Sequence, residues 1–233
     1  GAAAEMVSAQ EIPGDLTFPT VSADGGQMAF IADATGNGDI RIRDTNTNQF
    51  SQVTSSEDSE MFPLFVNEGK QLLYSRKVNN TEDIFLISVD GTNDTPVAGG
   101  GGDQTRPIDA DGKILFFDSS RGTDIWDIAA VDSPGAEKRV LAKGVRLPLR
   151  ARPAISPDNK WVAFSYDDPS QQDKVVLAKI DGSQKIEIET EFKACGEPAF
   201  GLQSGRTLLA YTALPQSGSD WRFLMILDIS NRL

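Results

Sequence analysis

Apolar positions along this chain fall into short runs divided by Gly, Asp, Asn and Ser, and the runs repeat. In the clearest instance Pro153-Ala154-Ile155 leads into the polar turn Ser156-Pro157-Asp158-Asn159, and a second run, Trp161-Val162-Ala163-Phe164, follows. The same phrase opens at Pro19, Pro63, Pro107, Pro153 and Pro198, at spacings of 44, 44, 46 and 45 residues. Its turns are Asp24-Gly25, Glu68-Gly69, Asp111-Gly112, Asp158-Asn159 and Ser204-Gly205. A pair of this kind between two apolar runs predicts a hairpin, because a turn with positive φ matches the twist of paired strands.

After each hairpin the chain continues alike. The first repeat runs through Gln27–Ala32, Asp39–Asp44 and Phe50–Thr54; the second through Leu72–Ser75, Asp83–Val89 and Thr95–Val97. The third has Ile114–Phe117, Asp124–Ala129 and Arg139–Leu141, and the fourth Trp161–Ser165, Val175–Ile180 and Lys185–Ile188. Runs such as Leu115-Phe116-Phe117 are apolar on successive residues, as expected of strands covered on both faces. A single antiparallel sheet cannot bury both faces alone, so neighbouring repeats must stack on it. A strand-only period of about 45 residues predicts a β-propeller. No helix is predicted, because no stretch carries an apolar stripe of helical period.

The fifth repeat has Ala199-Phe200, Thr207–Tyr211 and Trp221–Leu227 and no fourth run. Val7-Ser8-Ala9-Gln10 stands nine to twelve residues before Pro19, much as Val53 and Val97 stand ten before Pro63 and Pro107. The expectation is an all-β, five-bladed propeller of four-stranded antiparallel blades, closed by the N-terminal strand completing the last blade. Closure of that kind removes the open sheet edge. Taken as one domain over 1–233, its blades span about 18–60, 61–104, 105–150, 151–196, and 197–233 plus 5–12. The rival count is six blades, one of them lying outside this chain. The Gly1-Ala2-Ala3-Ala4 start reads as trimmed, so the lack of a visible secretory signal says little about compartment.

Charge and composition narrow the chemistry. Lys plus Arg number 22 against 34 Asp plus Glu, a formal charge of −12. Such a balance repels phosphate backbones, which excludes nucleic acid as a partner. No histidine is present, which removes the usual base of hydrolytic triads and the commonest transition-metal ligand. Cys195 is the only cysteine, with Lys193 nearby, so neither an intrachain disulfide nor a thiolate metal cluster can form. A small residue packed in a strand connection is the simpler reading of Cys195. No apolar run is long enough to span a membrane as a helix.

The phrase Pro-x-x-Ser-x-Asp-Gly, with an apolar strand and a later Asp-Ile, resembles the repeat of TolB-like (WD-like) propellers. It stands here as Ser22-Ala23-Asp24-Gly25 with Asp39-Ile40, and as Ser156-Pro157-Asp158-Asn159; Asp83-Ile84 and Asp124-Ile125 also match. The fifth repeat departs, with Gly201-Leu202-Gln203-Ser204-Gly205 at its turn. The resemblance implies a propeller over about residues 17–230 and, for TolB proteins, a periplasmic role in binding lipoprotein partners. Those proteins also carry an N-terminal α/β domain and a sixth blade, neither legible in this sequence. Similar propellers front prolyl-oligopeptidase-type peptidases, but the chain has no Gly-x-Ser-x-Gly elbow.

In a propeller the innermost strands line the axis, so the residues just before the opening prolines ring one mouth of the channel. These are Phe18, Phe62, Arg106, Arg152 and Glu197. They predict either a pocket for an anionic ligand, with guanidinium forks against carboxylate and phenyl walls, or an Arg–Glu network that plugs a wet channel. Glu60, Asp103, Arg146 and Arg150 read as a partner-binding rim or as solvated loop charges. Asp39, Asp83 and Asp124 recur at one position, which predicts a turn role with the carboxylate accepting backbone N–H groups. Asp167, Asp168 and Asp173 form an oxygen-rich loop without calcium-loop spacing, so no metal site is assigned.

The expectation is a non-catalytic binding or scaffolding module of the bacterial envelope, monomeric, without cofactor, whose partner is a protein or a small anionic ligand. The alternative is a glycoside hydrolase using channel carboxylates, for which Glu197 is best placed and Glu60 and Asp109 are more distant.

Overall fold

The first repeat shows how the pattern becomes a sheet. In the computed structural model β1 (Asp15–Val21), β2 (Gln27–Asp33), β3 (Asp39–Asp44) and β4 (Phe50–Gln52) pair in sequence order, each antiparallel to the last. The second repeat gives β5 (Ser59–Val66), β6 (Gln71–Val78), β7 (Thr81–Ser88) and β8 (Thr95–Ala98) in the same order. The structure describes residues 12, 14–34, 36–98, 102–110, 112–119, 126–145, 153–166, 174–188, 192, 194–215 and 222–231. Among them there is no α-helix, and no helix long and apolar enough to cross a membrane.

The chain divides into two compact units: Gly1–Gly99 with Thr105–Pro107, and Gly100–Gln104 with Ile108–Leu233. The first unit holds the two sheets just described. One face of the first sheet, formed by Ala29, Ile31, Ile40 and Ile42, packs with Val53 against Leu72, Tyr74 and Ile87 of the second. Phe30 and Ala32, which alternate with Ala29 and Ile31, are buried on the opposite face under Ile12. This two-sided burial is why β2 carries an unbroken apolar run. Each large aliphatic or aromatic side chain taken out of water contributes about 1.5–3 kcal/mol.

The second unit holds β9 (Gln104–Ala110, its residues 105–107 grouped with the first unit), β10 (Lys113–Asp118), β11 (Trp126–Val131) and β12 (Arg139–Val145). It continues with β13 (Ala154–Ile155), β14 (Trp161–Tyr166), β15 (Lys174–Lys179), β16 (Lys185–Glu187), β17 (Ala194–Gln203), β18 (Arg206–Leu214) and β19 (Phe223–Asp228). Among the described residues the third and fourth repeats join into one sheet through the pair Val145 opposite Tyr166. Trp161, Ala163, Val175 and Leu177 pack against Cys195, Leu209, Tyr211 and Ala213, so Cys195 is a buried core thiol. The fifth sheet has three strands among the described residues, in the order β17-β18-β19. On β19, Leu224 and Ile226 are 71% and 65% exposed. The closing strand expected from 5–12 lies outside the described residues except for Ile12, which is buried against Phe30 and Ala32.

The repeated turn is built from side chains. Ser22 Oγ donates to Asp24 Oδ1 at 2.6 Å and accepts the Gln27 N–H at 2.9 Å, while Asp24 Oδ1 accepts the Gly26 N–H at 3.0 Å. The fourth repeat copies this: Ser156 Oγ donates to Asp158 Oδ1 at 2.6 Å and accepts the Trp161 N–H at 2.9 Å, and Asp158 accepts the Lys160 N–H at 3.2 Å. Asn159 takes φ of 55° where the first repeat has Gly25 at 72°. Asn tolerates that region, which explains why Asp-Asn substitutes for Asp-Gly. The serine hydroxyl thus satisfies a backbone donor that the turn removes from the ladder.

The Ser22 hydroxyl and the Gly26 N–H hold the Asp24 carboxyl below its ordinary range. Burial pushes Asp158 up, but the Ser156 hydroxyl, the Lys160 N–H and the Lys160 charge outweigh it, so it too lies low. Carboxyls depressed in the folded state stabilise it above their unfolded value, about pH 4, and the gain is lost as pH falls through the folded value. Asp158→Asn is therefore expected to flatten the acid limb of stability against pH. Ser156→Ala, which strands a buried donor, is expected to lower the urea-unfolding free energy by about 1–2 kcal/mol. A loss within the error of the urea measurement would contradict this account of the turn.

Candidate functional site

The positions singled out just before the opening prolines share an unusual backbone. Phe18, Phe62, Arg106 and Glu197 have φ of 52°, 55°, 56° and 52°, the left-handed region. A side chain with a Cβ rarely adopts it, and a following proline further disfavours helical conformations, so each position stores about 1–3 kcal/mol of strain. The strand register shows what holds it. Thr17 pairs with Ile31 and Thr20 with Ala29, so Phe18-Pro19 oppose the single residue Phe30. Phe62-Pro63 likewise oppose Tyr74, and Glu197-Pro198 oppose Tyr211. Each is a β-bulge of two residues against one buried aromatic, and a bulge re-aims the side chain it carries.

A bulge also frees a backbone N–H. The Arg106 N–H is accepted by Ser75 Oγ at 3.2 Å, and the Glu197 N–H by Ser165 Oγ at 3.2 Å. Ser75 and Ser165 are buried and end the apolar runs Leu72-Leu73-Tyr74 and Val162-Ala163-Phe164. Both stand twelve residues after their own proline, Pro63 and Pro153, and that shared offset was the signal that could have found them.

In the first unit the bulges bring three of the five expected side chains into one row. The Phe18 and Phe62 rings lie 4.3 Å apart between centroids, tilted by 50°, and the Arg106 guanidinium carbon stands 5.1 Å from the Phe62 centroid. A cation over a phenyl face is attracted by the ring quadrupole. Phe62 and Arg106 are buried and Phe18 is half-buried. Burial draws the Arg106 guanidinium below its ordinary value, opposed by the charge of Glu82. Glu197, in the second unit, is exposed and accepts Thr212 Oγ1 at 3.1 Å. Arg152 lies outside the described residues, as do Asp124, Arg146, Arg150, Asp167, Asp168, Asp173 and Lys193.

Glu60 corrects the reading of the sequence. It is neither a rim residue nor a solvated loop charge but only 1% exposed. Its carboxylate accepts Ser56 Oγ at 2.7 Å, Thr54 Oγ1 at 2.9 Å and Arg76 Nε at 2.9 Å. Arg76 reaches Asp94 at 2.7 Å and lies over the Tyr74 and Phe85 rings, while the Tyr74 hydroxyl donates to Asp94 at 2.6 Å. Burial pushes Glu60 up; the Ser56, Thr54 and Arg76 contacts pull the other way without cancelling it. Such a group fastens the first two sheets together and is closed to a substrate. Asp39 accepts side chains, Gln52 Nε2 at 3.3 Å and Thr54 Oγ1 at 3.5 Å, rather than the backbone N–H groups expected. The Asp103 carbonyl accepts the Ser119 N–H and the Asp103 N–H is accepted by Ser119 Oγ, and Asp109 is half-buried in β9. No group of three or more carboxylates or thiols among the described residues is placed to hold a metal ion.

Comparison with known proteins adds the family. The model of the TolB beta propeller domain matches residues 2–204. No curated protein matches the chain in sequence. Among solved structures, TolB from Acinetobacter baumannii superposes with a TM-score of 0.62 at 20% identity, over 78% of this chain and 45% of that one. The chain thus spans less than half the length of that protein. A proposed TolB from Agrobacterium tumefaciens gives a TM-score of 0.64 at 14% identity, over 93% and 78% of the two chains. An oligogalacturonate lyase in complex with manganese gives 0.64 at 16% identity, over 93% and 72%. At such identities the likeness is one of fold, shared by TolB proteins and an enzyme alike.

Substitutions at three positions separate strain from contact. In a strand Gly is ordinarily less stable than Ala by about 0.5–1 kcal/mol. At position 197 the order is expected to reverse, with Glu197→Gly the more stable by about 1 kcal/mol in urea unfolding; the ordinary order would contradict the bulge geometry. Arg76→Met strands the buried Glu60 charge and is expected to cost about 3–5 kcal/mol. Adding Glu60→Gln should recover more than half of that loss in a double-mutant cycle; additive losses would show that the pair is not coupled.

Proposed function

The chain belongs to the TolB beta propeller family, and from that premise we propose that it is a non-catalytic binding or scaffolding module of the bacterial envelope, acting outside the cytoplasm. One observation carries the reading: Phe18, Phe62 and Arg106, contributed by three successive repeats, stand in contact along one row. Two phenyl rings beside a guanidinium suit a partner that offers an apolar group and a carboxylate, whether on a protein or on a small anionic ligand. Arg152 and Glu197 precede the opening prolines of the later repeats as these residues do in theirs, and are proposed as ligand-binding positions of their own repeats. The composition agrees with a binding role. The chain has no histidine for general-base work, and Glu60 is committed to Arg76.

The test uses immobilised protein exposed to a bacterial envelope extract, with retained proteins and small acids identified by mass spectrometry. The native chain is expected to retain a defined set that Phe18→Ala and Arg152→Ala each lose and that Lys185→Ala, on the outer strand β16, keeps. Retention that is the same for all four proteins, or turnover of an oligosaccharide by the native chain, would contradict the reading.

A further inference from the structure

A second cavity lies in the first unit, on the side of the first sheet that does not pack on β5–β8. Met28 and Phe30 of β2, Phe50 of β4, Leu16 of β1 and Ile12 line it, and it encloses about 130 Å³. Phe30 and Phe50 form its aromatic wall, edge to face with centroids 6.3 Å apart. An apolar cavity of roughly 150 Å³ is known to admit a benzene ring. Leu16 is 38% exposed, so the mouth opens to solvent.

The register sets charge beside it. Arg43 pairs with Met28 on one side and Phe50 on the other, and Arg41 pairs with Phe30 and Gln52. Directly paired residues of an antiparallel sheet share a face, so both arginines stand on the face of the cavity. Their hydrogen bonds run to neutral acceptors, Arg43 to Asn48 Oδ1 and Arg41 to Gln52 Oε1 at 3.4 Å. Among the described residues neither forms an ion pair, and Asp39 acts on Arg41 only through its charge. Two adjacent guanidinium groups left to neutral partners are notable in a chain of net charge −12.

We propose that this face binds a small amphipathic anion, with a benzene-sized apolar body in the cavity and its carboxylate held by Arg41 and Arg43. The apolar lining supplies affinity without direction, and the guanidinium forks fix orientation and select for charge. Thr17 and Pro19, on either side of Phe18, also line the cavity, which shares no lining side chain with the row formed by Phe18, Phe62 and Arg106.

Phenylacetate is the probe and toluene its uncharged counterpart. Binding is followed by the methyl signal of Met28 in methionine-labelled protein, assigned with Met28→Leu. Phenylacetate is expected to give a saturable shift. The pair Arg41→Gln and Arg43→Gln should weaken phenylacetate about tenfold, as for a lost charge-assisted hydrogen bond, and leave toluene within about twofold. Leu16→Trp, which fills the mouth, should abolish both. Should the double variant fail to fold, raised salt on the native protein gives the same reading, weakening phenylacetate but not toluene. The absence of a saturable shift, expected if another part of the chain covers this face, overturns the proposal. So does a loss under about threefold in the double variant, or equal salt dependence of the two probes.

Discussion

A residue caught between a strand and a following proline has few conformations open to it, and four positions in this chain take one of the costly ones. The φ near +55° recurs at Phe18, Phe62, Arg106 and Glu197, each in the first long strand of its repeat. Three of the bulges are fixed in register against Phe30, Tyr74 and Tyr211. Strain of this kind survives only where packing over-determines it, and the buried aromatic opposite each bulge provides that packing. Recurrence in repeat after repeat makes it a property of the fold. What varies is the side chain presented: phenyl, phenyl, guanidinium or carboxylate. The scaffold is thus constant while the chemistry at this one position of the repeat is free to change.

The bulges create a second requirement, since a displaced N–H must find an acceptor once buried. Ser75 and Ser165 meet it, and Ser22 and Ser156 meet the equivalent need at the hairpin turns. Small hydroxyls inside otherwise apolar strands therefore act as the fasteners of the repeat. The buried charge of Glu60 is held by two hydroxyls and by Arg76. Removing one partner from such a network costs more than the network adds over an apolar core, so Glu60 belongs to the framework rather than to the chemistry.

The strands and turns were legible because their signals are local. Asp39–Asp44 is a strand with the limits the pattern sets, and Asp158-Asn159 turns as Asp24-Gly25 does. The row of pre-proline residues was legible as a set of positions, because a repeat shows equivalent residues directly. The left-handed backbone was not, since nothing local marks Phe18 as different from any other residue before a proline. The fate of Glu60 was hidden for another reason: its partners come from β6 (Arg76) and from the segment after β4 (Thr54), and only stacking of the sheets makes the polar link a buried one. Asp39 misled through its recurrence, which pointed to a turn while its bonds run across the sheet to Gln52 and Thr54. Nothing local in the sequence marks Arg41 and Arg43; the register sets them beside Met28, Phe30 and Phe50.

The left-handed conformation at the bulges is the claim on which the site rests, and nuclear Overhauser spectroscopy of the labelled protein reads it without any substitution. A positive φ brings a residue's own amide and α protons close together, whereas extended backbone holds them apart. The account predicts strong intraresidue amide-to-α cross-peaks at Phe18, Phe62, Arg106 and Glu197 beside weak ones at Thr17, Met61 and Gly196. Weak cross-peaks at all four would mean ordinary strands, with no bulge to aim these side chains.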